Sequence, residues 1–271
     1  MSNDEIILTY VNNGYIDFAF NWLESLDRFG LTDRVVVYAL DDESHDALKD
    51  RVYTKRWNSP NYFIQDQIDF RKRGWAELMW NKAEAIHAEL MNGNTILYSD
   101  TDIVFVKNPL PYLREECEDV DVCFQVAGGK SICPGFLYTK NNDRTKHLFN
   151  IDRDDFKQGY IECEEDGEIK KRKFKEDMTL LNLRLHRAIE PDDVSYKQLS
   201  AQQYPQGVHW ERNIEKLGRE EAEKRAVIIH FNCTVGWSNP EEEKANGLDK
   251  LNYHDKKVWN LSRHDMWLID K

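Results

Sequence analysis

Apolar positions in the first 110 residues switch between two periods, and that switching predicts the fold. Ile6–Val11 is a short apolar run of strand length. It leads into Ile16–Phe29, where Phe18, Trp22, Leu26 and Phe29 recur at the spacing of one helix face. Gly30 follows, a residue suited to closing a helix. Val35–Leu40 is β-branched and continuous, like a parallel strand covered on both faces. Asp42–Arg51 reads as a short helix. Trp75–Met91 reads as a longer one through Leu78, Met79, Ala83, Ile86 and Leu90, and it ends at Asn92-Gly93. Thr95–Tyr98 is the next strand. This β-α-β alternation predicts an α/β fold, a doubly wound sheet with ligands at the carboxyl ends of its strands.

Beyond Pro109 the pattern changes. Val120–Val126 and Phe136–Thr139 read as strands, Asp143–Phe149 and Asp177–His186 as helices, and Ala226–Phe231 as a late β-branched strand. Residues 162–176 are acidic first and basic second. They read as a solvated loop or hairpin, with a mobile segment over an acceptor site as the alternative. No internal repeat or low-complexity linker divides residues 1–271, so one domain is expected.

Composition narrows the partners. Apolar residues make up 41% and charged residues 32% of the chain, an ordinary balance for a globular enzyme. No run approaches the ~20 apolar residues that span a bilayer. The start, MSNDEIILTYV, lacks the cationic segment of a secretory signal, so a cytoplasmic location without a membrane span is expected, with a chain trimmed of an anchor as the alternative. With 49 acidic and 37 basic residues the net charge is −12, which disfavours duplex nucleic acid. A nucleotide diphosphate is still admissible if a divalent cation sits between. Cys117, Cys123, Cys133, Cys163 and Cys233 form no C-x-x-C pair and leave an odd count. Neither a zinc site nor a disulfide framework is expected, and a reducing compartment fits.

The chemistry concentrates in Thr95-Ile-Leu-Tyr-Ser-Asp-Thr-Asp-Ile-Val-Phe-Val106. If the chain stays extended there, Asp100 and Asp102 point to one face with α-carbons about 6–7 Å apart. Two ionised carboxylates beside a core repel each other and lose hydration, and a divalent cation relieves both costs. Oxygen ligands suit Mn²⁺ or Mg²⁺, which keep open positions for phosphate oxygens. A metal bridging two phosphates acts as a Lewis acid on the leaving group, and the aspartates are then ligands rather than nucleophiles.

Tyr98-Ser-Asp-Thr-Asp-Ile-Val-Phe-Val-Lys-Asn-Pro109 is similar to the D-x-D strand of the nucleotide-diphospho-sugar transferases of glycosyltransferase family 77. More distantly it resembles the glycogenin and bacterial galactosyltransferase group. Further likenesses follow in order: Leu8-Thr-Tyr-Val-Asn-Asn-Gly-Tyr15 to the first strand and nucleotide-binding turn, Trp80-Asn-Lys82 to the helix before the D-x-D strand, and Cys133-Pro-Gly-Phe-Leu-Tyr138 to the strand beside the donor sugar. Glu176-Asp-Met-Thr-Leu-Leu-Asn182 resembles the acidic motif opposite the anomeric carbon, and His230-Phe-Asn232 the late metal-binding histidine.

The resemblance implies a GT-A fold, with a Rossmann-like mostly parallel sheet and a small antiparallel portion in the C-terminal half. It implies a nucleotide-binding half at 1–110 and an acceptor-side half at 111–271. It implies that Tyr15 stacks on the base, that Thr9, Val11 and Asn13 surround the nucleoside, and that Gly135 lies beside the donor sugar. Asp100, which also reaches the ribose or sugar, Asp102 and His230 would hold the metal. Lys82 would contact the diphosphate or donor sugar and Asp177 would face the reacting sugar. Simpler roles stand beside these: Tyr15 covering the first helix, Lys82 exposed on its helix, Asp177 capping its helix, His230 hydrogen-bonded in the core. Trp237 faces an acceptor or packs in the core, and Arg71, Lys72 and Arg73 form a phosphate patch or a solvated loop.

The chain also departs from the glycogenin pattern, in which a Gly-x-x-Lys-Pro-Trp run follows the late histidine. Here no lysine follows until Lys244, so the phosphate contact passes to Lys244, to another base, or to nothing. The expected activity is transfer of a sugar from a nucleotide-diphospho-sugar, a UDP-sugar by preference, to a glycan or other hydroxyl acceptor with retention. The alternative is a catalytically silent nucleotide- or carbohydrate-binding module. A haloacid-dehalogenase-type phosphatase is disfavoured because Ile-Val follows Asp102 where Gly-Thr is needed. A nucleotidylyltransferase would want a glycine-rich loop that Thr9–Tyr15 does not supply.

Overall fold

The computed structural model describes residues 4–57, 75–152, 159–165, 168–173, 177–186, 193–232 and 247–269, together with Phe156 and Lys244. Seven strands form the main sheet: β1 (Glu5–Val11), β2 (Val35–Ala39), β3 (Tyr53–Arg56), β4 (Thr95–Ser99), β6 (Val122–Gly128), β7 (Ser131–Thr139) and β10 (Tyr196–Leu199), in the spatial order β10-β6-β7-β4-β1-β2-β3. Parallel pairs join β1 to β2 and β4, β2 to β3, and β6 to β10. Only β7 runs against both its neighbours. The sheet is therefore mostly parallel, as the alternation of elements predicts.

Strand pleating splits the core into two faces. Ile7, Val35, Val37 and Leu97 pack on one side with Trp22, Leu23 and Leu26 of helix α1 (Ile16–Asp27). Leu8, Val36, Ile96 and Tyr98 pack on the other with Ala85, Ile86 and Leu90 of α3 (Trp75–Met91). The short helix α2 (Asp42–Leu48) is capped by Asp41, whose side chain accepts from the Ser44 N–H. Helix α4 (Leu110–Glu116) leads towards β6, and α5 (Asp143–Phe149) and α6 (Asp177–His186) follow β7.

A second, two-stranded sheet changes the expectation for the carboxylate motif. The chain does not stay extended through Asp100 and Asp102. It turns after Ser99, and β5 (Ile103–Phe105) leaves the main sheet to pair antiparallel with β11 (Ile228–His230). The two aspartates thus sit in a turn between sheets rather than on one face of a continuous strand. The physical reason is anchoring on both sides of the turn: the buried Trp22 indole N–H donates to Ser99 Oγ at 2.9 Å, and the Phe105 N–H donates to Ser25 Oγ at 3.2 Å. Helices α7 (Gly207–Leu217), α8 (Arg219–Arg225) and α9 (Tyr253–Arg263) cover this small sheet through Trp210, Ala222, Val258 and Leu261, packed on Val104, Ile229 and Phe231.

Two other expectations are settled here. The charge run forms a hairpin of β8 (Tyr160–Glu165) and β9 (Glu168–Lys173), in which Glu162 stands opposite Lys171. The expectation of no disulfide is corrected. Cys117 ends α4 and Cys123 lies at the start of β6, which brings their α-carbons to 5.9 Å and bonds the two sulfurs. Among the described residues no helix is long and apolar enough to cross a membrane.

Candidate active site

The carboxyl ends of β1 and β4 open onto a cleft lined by Val11, Asn12, Tyr15, Tyr98 and Asp100. Asp100 and Asp102 stand at its floor, and the small sheet delivers His230 to them. The register sets His230 opposite Ile103, and the Phe231 N–H donates to the Asp102 carbonyl at 2.9 Å. One ligand atom from each of Asp100, Asp102 and His230 lies within 4.8 Å of the others. His230 Nε2 is 3.1 Å from Asp102 Oδ1 and 3.9 Å from Asp100 Oδ2.

The imidazole is held in one tautomer. Nδ1 is 2.7 Å from Oε1 of the buried Gln125, and the Gln125 amide N–H donates to the Tyr204 carbonyl at 3.0 Å. That second bond fixes the amide so that its oxygen faces the ring. Nδ1 therefore carries a proton, and in the neutral ring that a metal ligand requires the Nε2 lone pair is aimed at two carboxylates. Nε2 is buried, with His230 1% exposed, and has no hydrogen-bond partner among the described residues. A lone pair beside two anions is a poor arrangement alone and a good one around a cation. The donor set fits a divalent metal.

Gly135 makes room for this corner. β7 carries an irregularity in which Phe124 pairs with Leu137 but Gln125 with Cys133, so Pro134, Gly135 and Phe136 fall out of the β6 register. The Gly135 carbonyl accepts from the Asp100 N–H at 2.7 Å. A β-carbon at residue 135 would lie 2.4 Å from Asp100 Oδ2 and 2.6 Å from His230 Cε1. Only glycine lets the strand pass this close.

Two lysines complete the electrostatics. Lys82 of α3 is 4% exposed, with Nζ 3.2 Å from Asp100 Oδ1 and 3.0 Å from Asp177 Oδ2. Burial alone would discharge it, but the Asp100 and Asp177 carboxylates hold its pKa well above the usual range. Burial raises the Asp177 carboxyl, with Lys82 opposing. Tyr98 donates to Asp100 Oδ1 at 2.7 Å, and burial keeps this phenol protonated. Lys257 of α9 ion-pairs directly with Asp102 Oδ2. Burial pushes the Asp102 carboxyl up, but the positive charge beside it, Lys257 first, outweighs burial and holds its pKa below the usual range, so it stays ionised.

Of the residues singled out from the sequence, Asp100, Asp102, His230, Lys82 and Asp177 are brought together and Gly135 lies against them. Lys82 is buried between two acids rather than exposed on its helix. Among the described residues Asp177 accepts the Met178 N–H at 2.8 Å and pairs with Lys82. Val11 and Tyr15 line the cleft. Tyr15 also packs on Phe18 of α1 at 6.0 Å between ring centroids, so it covers the helix as well. Thr9 is fully buried within β1, and Asn13 is exposed, its N–H donating to Asp41 Oδ2 at 2.7 Å. Lys244 is exposed and does not line the cleft. Trp237, Arg71, Lys72 and Arg73 lie outside the described residues.

Sequence reading missed Gln125, Lys257 and Tyr253, the last of which also lines the cleft. Gln125 carried a signal, as a polar residue in the apolar run Val122-Cys-Phe-Gln-Val126. Lys257 carried another, standing four residues from both Tyr253 and the core residue Leu261, on one helix face.

Comparison with known proteins gives this arrangement its context. An uncharacterized protein of Arabidopsis thaliana is 26% identical over 166 residues, covering 55% of this chain and 49% of that protein. A Dictyostelium discoideum UDP-galactose:fucoside alpha-3-galactosyltransferase is 22% identical over 274 residues, covering 86% of this chain and 41% of that enzyme. The chain thus spans about half the length, or less, of these two relatives. An Arabidopsis thaliana UDP-D-xylose:L-fucose alpha-1,3-D-xylosyltransferase is 21% identical, covering 99% of this chain and 72% of that enzyme. Among solved structures, the glycosyltransferase GlyE of Streptococcus pneumoniae superposes with a TM-score of 0.50 at 11% identity, covering 97% of this chain and 64% of that one, so the two share the GT-A fold. The family model for nucleotide-diphospho-sugar transferases matches residues 30–243, which include the D-x-D turn, Gly135, Asp177 and His230, and this chain belongs to that family.

Proposed function

We propose that this chain is a glycosyltransferase that binds a UDP-sugar through a divalent cation, Mn²⁺ or Mg²⁺, at Asp100, Asp102 and His230. It transfers the sugar with retention to a hydroxyl of a glycan or other acceptor. The observation that carries the reading is the buried Nε2 of His230, aimed between two aspartates at the floor of an open cleft. When bound, the cation supplies Lewis-acid neutralisation of the leaving diphosphate.

The chain's own residues do the rest. Tyr15 offers a ring on the cleft wall for a nucleobase. Tyr98 and Lys82 both hold the Asp100 carboxylate at Oδ1. Lys82 also holds Asp177 in place to receive hydroxyls of the donor sugar. Among the described residues each carboxylate of this corner already engages a cation or a hydroxyl, so none is left as a general base. That supports a front-face displacement in which the departing phosphate oxygen accepts the acceptor's proton. The two relatives named for their donors take UDP-galactose and UDP-xylose and make alpha linkages, which supports a UDP-sugar donor and retention. The Cys117–Cys123 disulfide supports an oxidising compartment over the cytoplasmic one that composition suggested.

Calorimetry with UDP, with and without Mn²⁺, tests the reading. Wild-type protein is expected to bind UDP only with the metal and to hydrolyse UDP-galactose or UDP-xylose slowly. Asp102→Asn is expected to weaken metal-dependent UDP binding by about 100-fold or more, with its circular dichroism unchanged. Unchanged binding in that variant would remove the metal assignment. Binding of UDP without hydrolysis, and without transfer to a fucoside, would leave a silent module with the same fold.

A further inference from the structure

The two oxygens of Asp102 have different neighbours. Oδ1 faces His230 Nε2 at 3.1 Å, while Oδ2 is taken by the ammonium of Lys257. Lys257 is only 8% exposed and its helix is firmly seated. Asn252 caps α9 by accepting the Asp255 N–H at 2.8 Å, His254 Nε2 reaches Asp17 of α1 at 2.9 Å, and Val258 and Leu261 sit in the core beside the small sheet. The ammonium therefore stays at the cleft wall, 5.0 Å from the centre of the Tyr253 ring. From there it has two classes of anionic partner, the carboxylate it now holds and any anion that enters the cleft.

A divalent cation and this ammonium compete for the same carboxylate. Drawing Lys257 off Asp102 with nothing to receive it leaves a buried charge unpaired. A diphosphate in the cleft removes that penalty, because its oxygens accept the displaced ammonium in a charge-assisted hydrogen bond.

We propose that Lys257 couples cation capture to diphosphate binding, guarding Asp102 against the metal alone and turning to the diphosphate when metal and nucleotide arrive together. The proposal rests on the nucleotide-diphosphate reading above and adds to it an order of events. Linkage makes the effect reciprocal, so UDP strengthens metal binding by the factor by which the metal strengthens UDP binding.

Calorimetry on the full chain separates the two effects by sign. Lys257→Met is expected to bind Mn²⁺ alone about tenfold more tightly than wild type. The gain in Mn²⁺ affinity brought by UDP is expected to shrink by about the same factor, within the usual range of coupling strengths. UMP, which lacks the second phosphate, brings a smaller gain in wild type and shows less of this loss. Lys257→Gln keeps polarity without charge and carries the same expectation should the methionine variant fail to fold. If either folded variant keeps the wild-type affinity for Mn²⁺ alone, or an undiminished gain from UDP, the proposal is overturned. A wild-type protein that binds no UDP at any Mn²⁺ concentration overturns the nucleotide reading instead, and the Mn²⁺-only comparison still decides whether Lys257 guards Asp102.

Discussion

The main sheet carries a buried aspartate near each end, and the two are treated in opposite ways. Asp121, at the amino end of β6, accepts from Asn142 Nδ2 at 2.8 Å, from Arg144 Nη2 and Nε at 2.6 and 2.9 Å, and from the Ser195 N–H and hydroxyl at 2.9 and 2.7 Å. Its lone pairs are spent within the protein. Asp102, just past the carboxyl end of β4, shares one oxygen with an imidazole nitrogen that has no hydrogen-bond partner among the described residues and gives the other to a lysine at a cleft wall. A satisfied buried carboxylate ties elements together, whereas an under-satisfied cluster needs a ligand to complete it. The difference lies in the partners each aspartate is given, since both are buried.

The sharpest way to break this contrast is to crowd the cation corner without touching a ligand. Gly135→Ala places a β-carbon within 2.4 Å of Asp100 Oδ2 and 2.6 Å of His230 Cε1, contacts that neither group can keep. The ligands must spread. Mn²⁺ affinity in calorimetry is expected to fall by about 100-fold or more, the upper end of what outer-shell changes cost. Stability is expected to drop by about 1–3 kcal/mol, as for other overpacked sites, with the fold kept. Wild-type Mn²⁺ affinity in this variant would show that the three residues do not hold a metal as a set.

The sequence showed one end of the molecule better than it showed the reasons for it. Periodic elements such as α1, α3 and β4 were legible because each buries several apolar residues at regular spacing: Phe18, Trp22 and Leu26 in one helix, Ala83, Ile86 and Leu90 in another. Asp100 and Asp102 were legible as a pair, but the turn that separates β4 from β5 was not, since it depends on Trp22 and Ser25 bonding across from α1. Helices α7 and α9 escaped notice because their buried positions are few and polar residues share them. Trp210 is the main apolar anchor of α7, and Lys257 occupies the inward stripe of α9. The role of Gly135 depends on residues far from it in the chain, so its place against Asp100 and His230 had to await the fold.

A milder change sharpens the contrast by altering a proton rather than a position. Gln125→Leu keeps the volume near that of glutamine but removes the acceptor for His230 Nδ1–H. The ring is then free to carry its proton on Nε2, where it would donate to Asp102 and be lost as a ligand. Mn²⁺ affinity is expected to fall by about tenfold, the lower end of outer-shell effects. Nitrogen-15 NMR of the imidazole is expected to show the Nε2–H tautomer in the variant and the Nδ1–H tautomer in wild type. If wild type already carries the Nε2 proton, Gln125 does not position this ring.

The satisfied end should answer in stability alone. Asp121→Asn keeps the shape but puts an amide N–H against the donors of Arg144 or Ser195, so at least one donor loses its partner. A loss of about 1–3 kcal/mol in urea unfolding is expected, with Mn²⁺ and UDP affinities unchanged. The pH dependence follows from the direction of the shift. Burial raises the Asp121 carboxyl, but Arg144 and Ser195 outweigh it and hold its pKa below the ordinary value in the folded protein. Its contribution is therefore complete above the unfolded-state pKa of about 4 and is lost as pH falls through the lower folded-state value. The gap between wild type and Asp121→Asn should accordingly be constant from pH 6 to about 5 and shrink below about 4. A gap that does not change with pH would mean that the contribution of Asp121 is packing rather than charge. In that case the satisfied and under-satisfied ends would differ in kind as well as in degree.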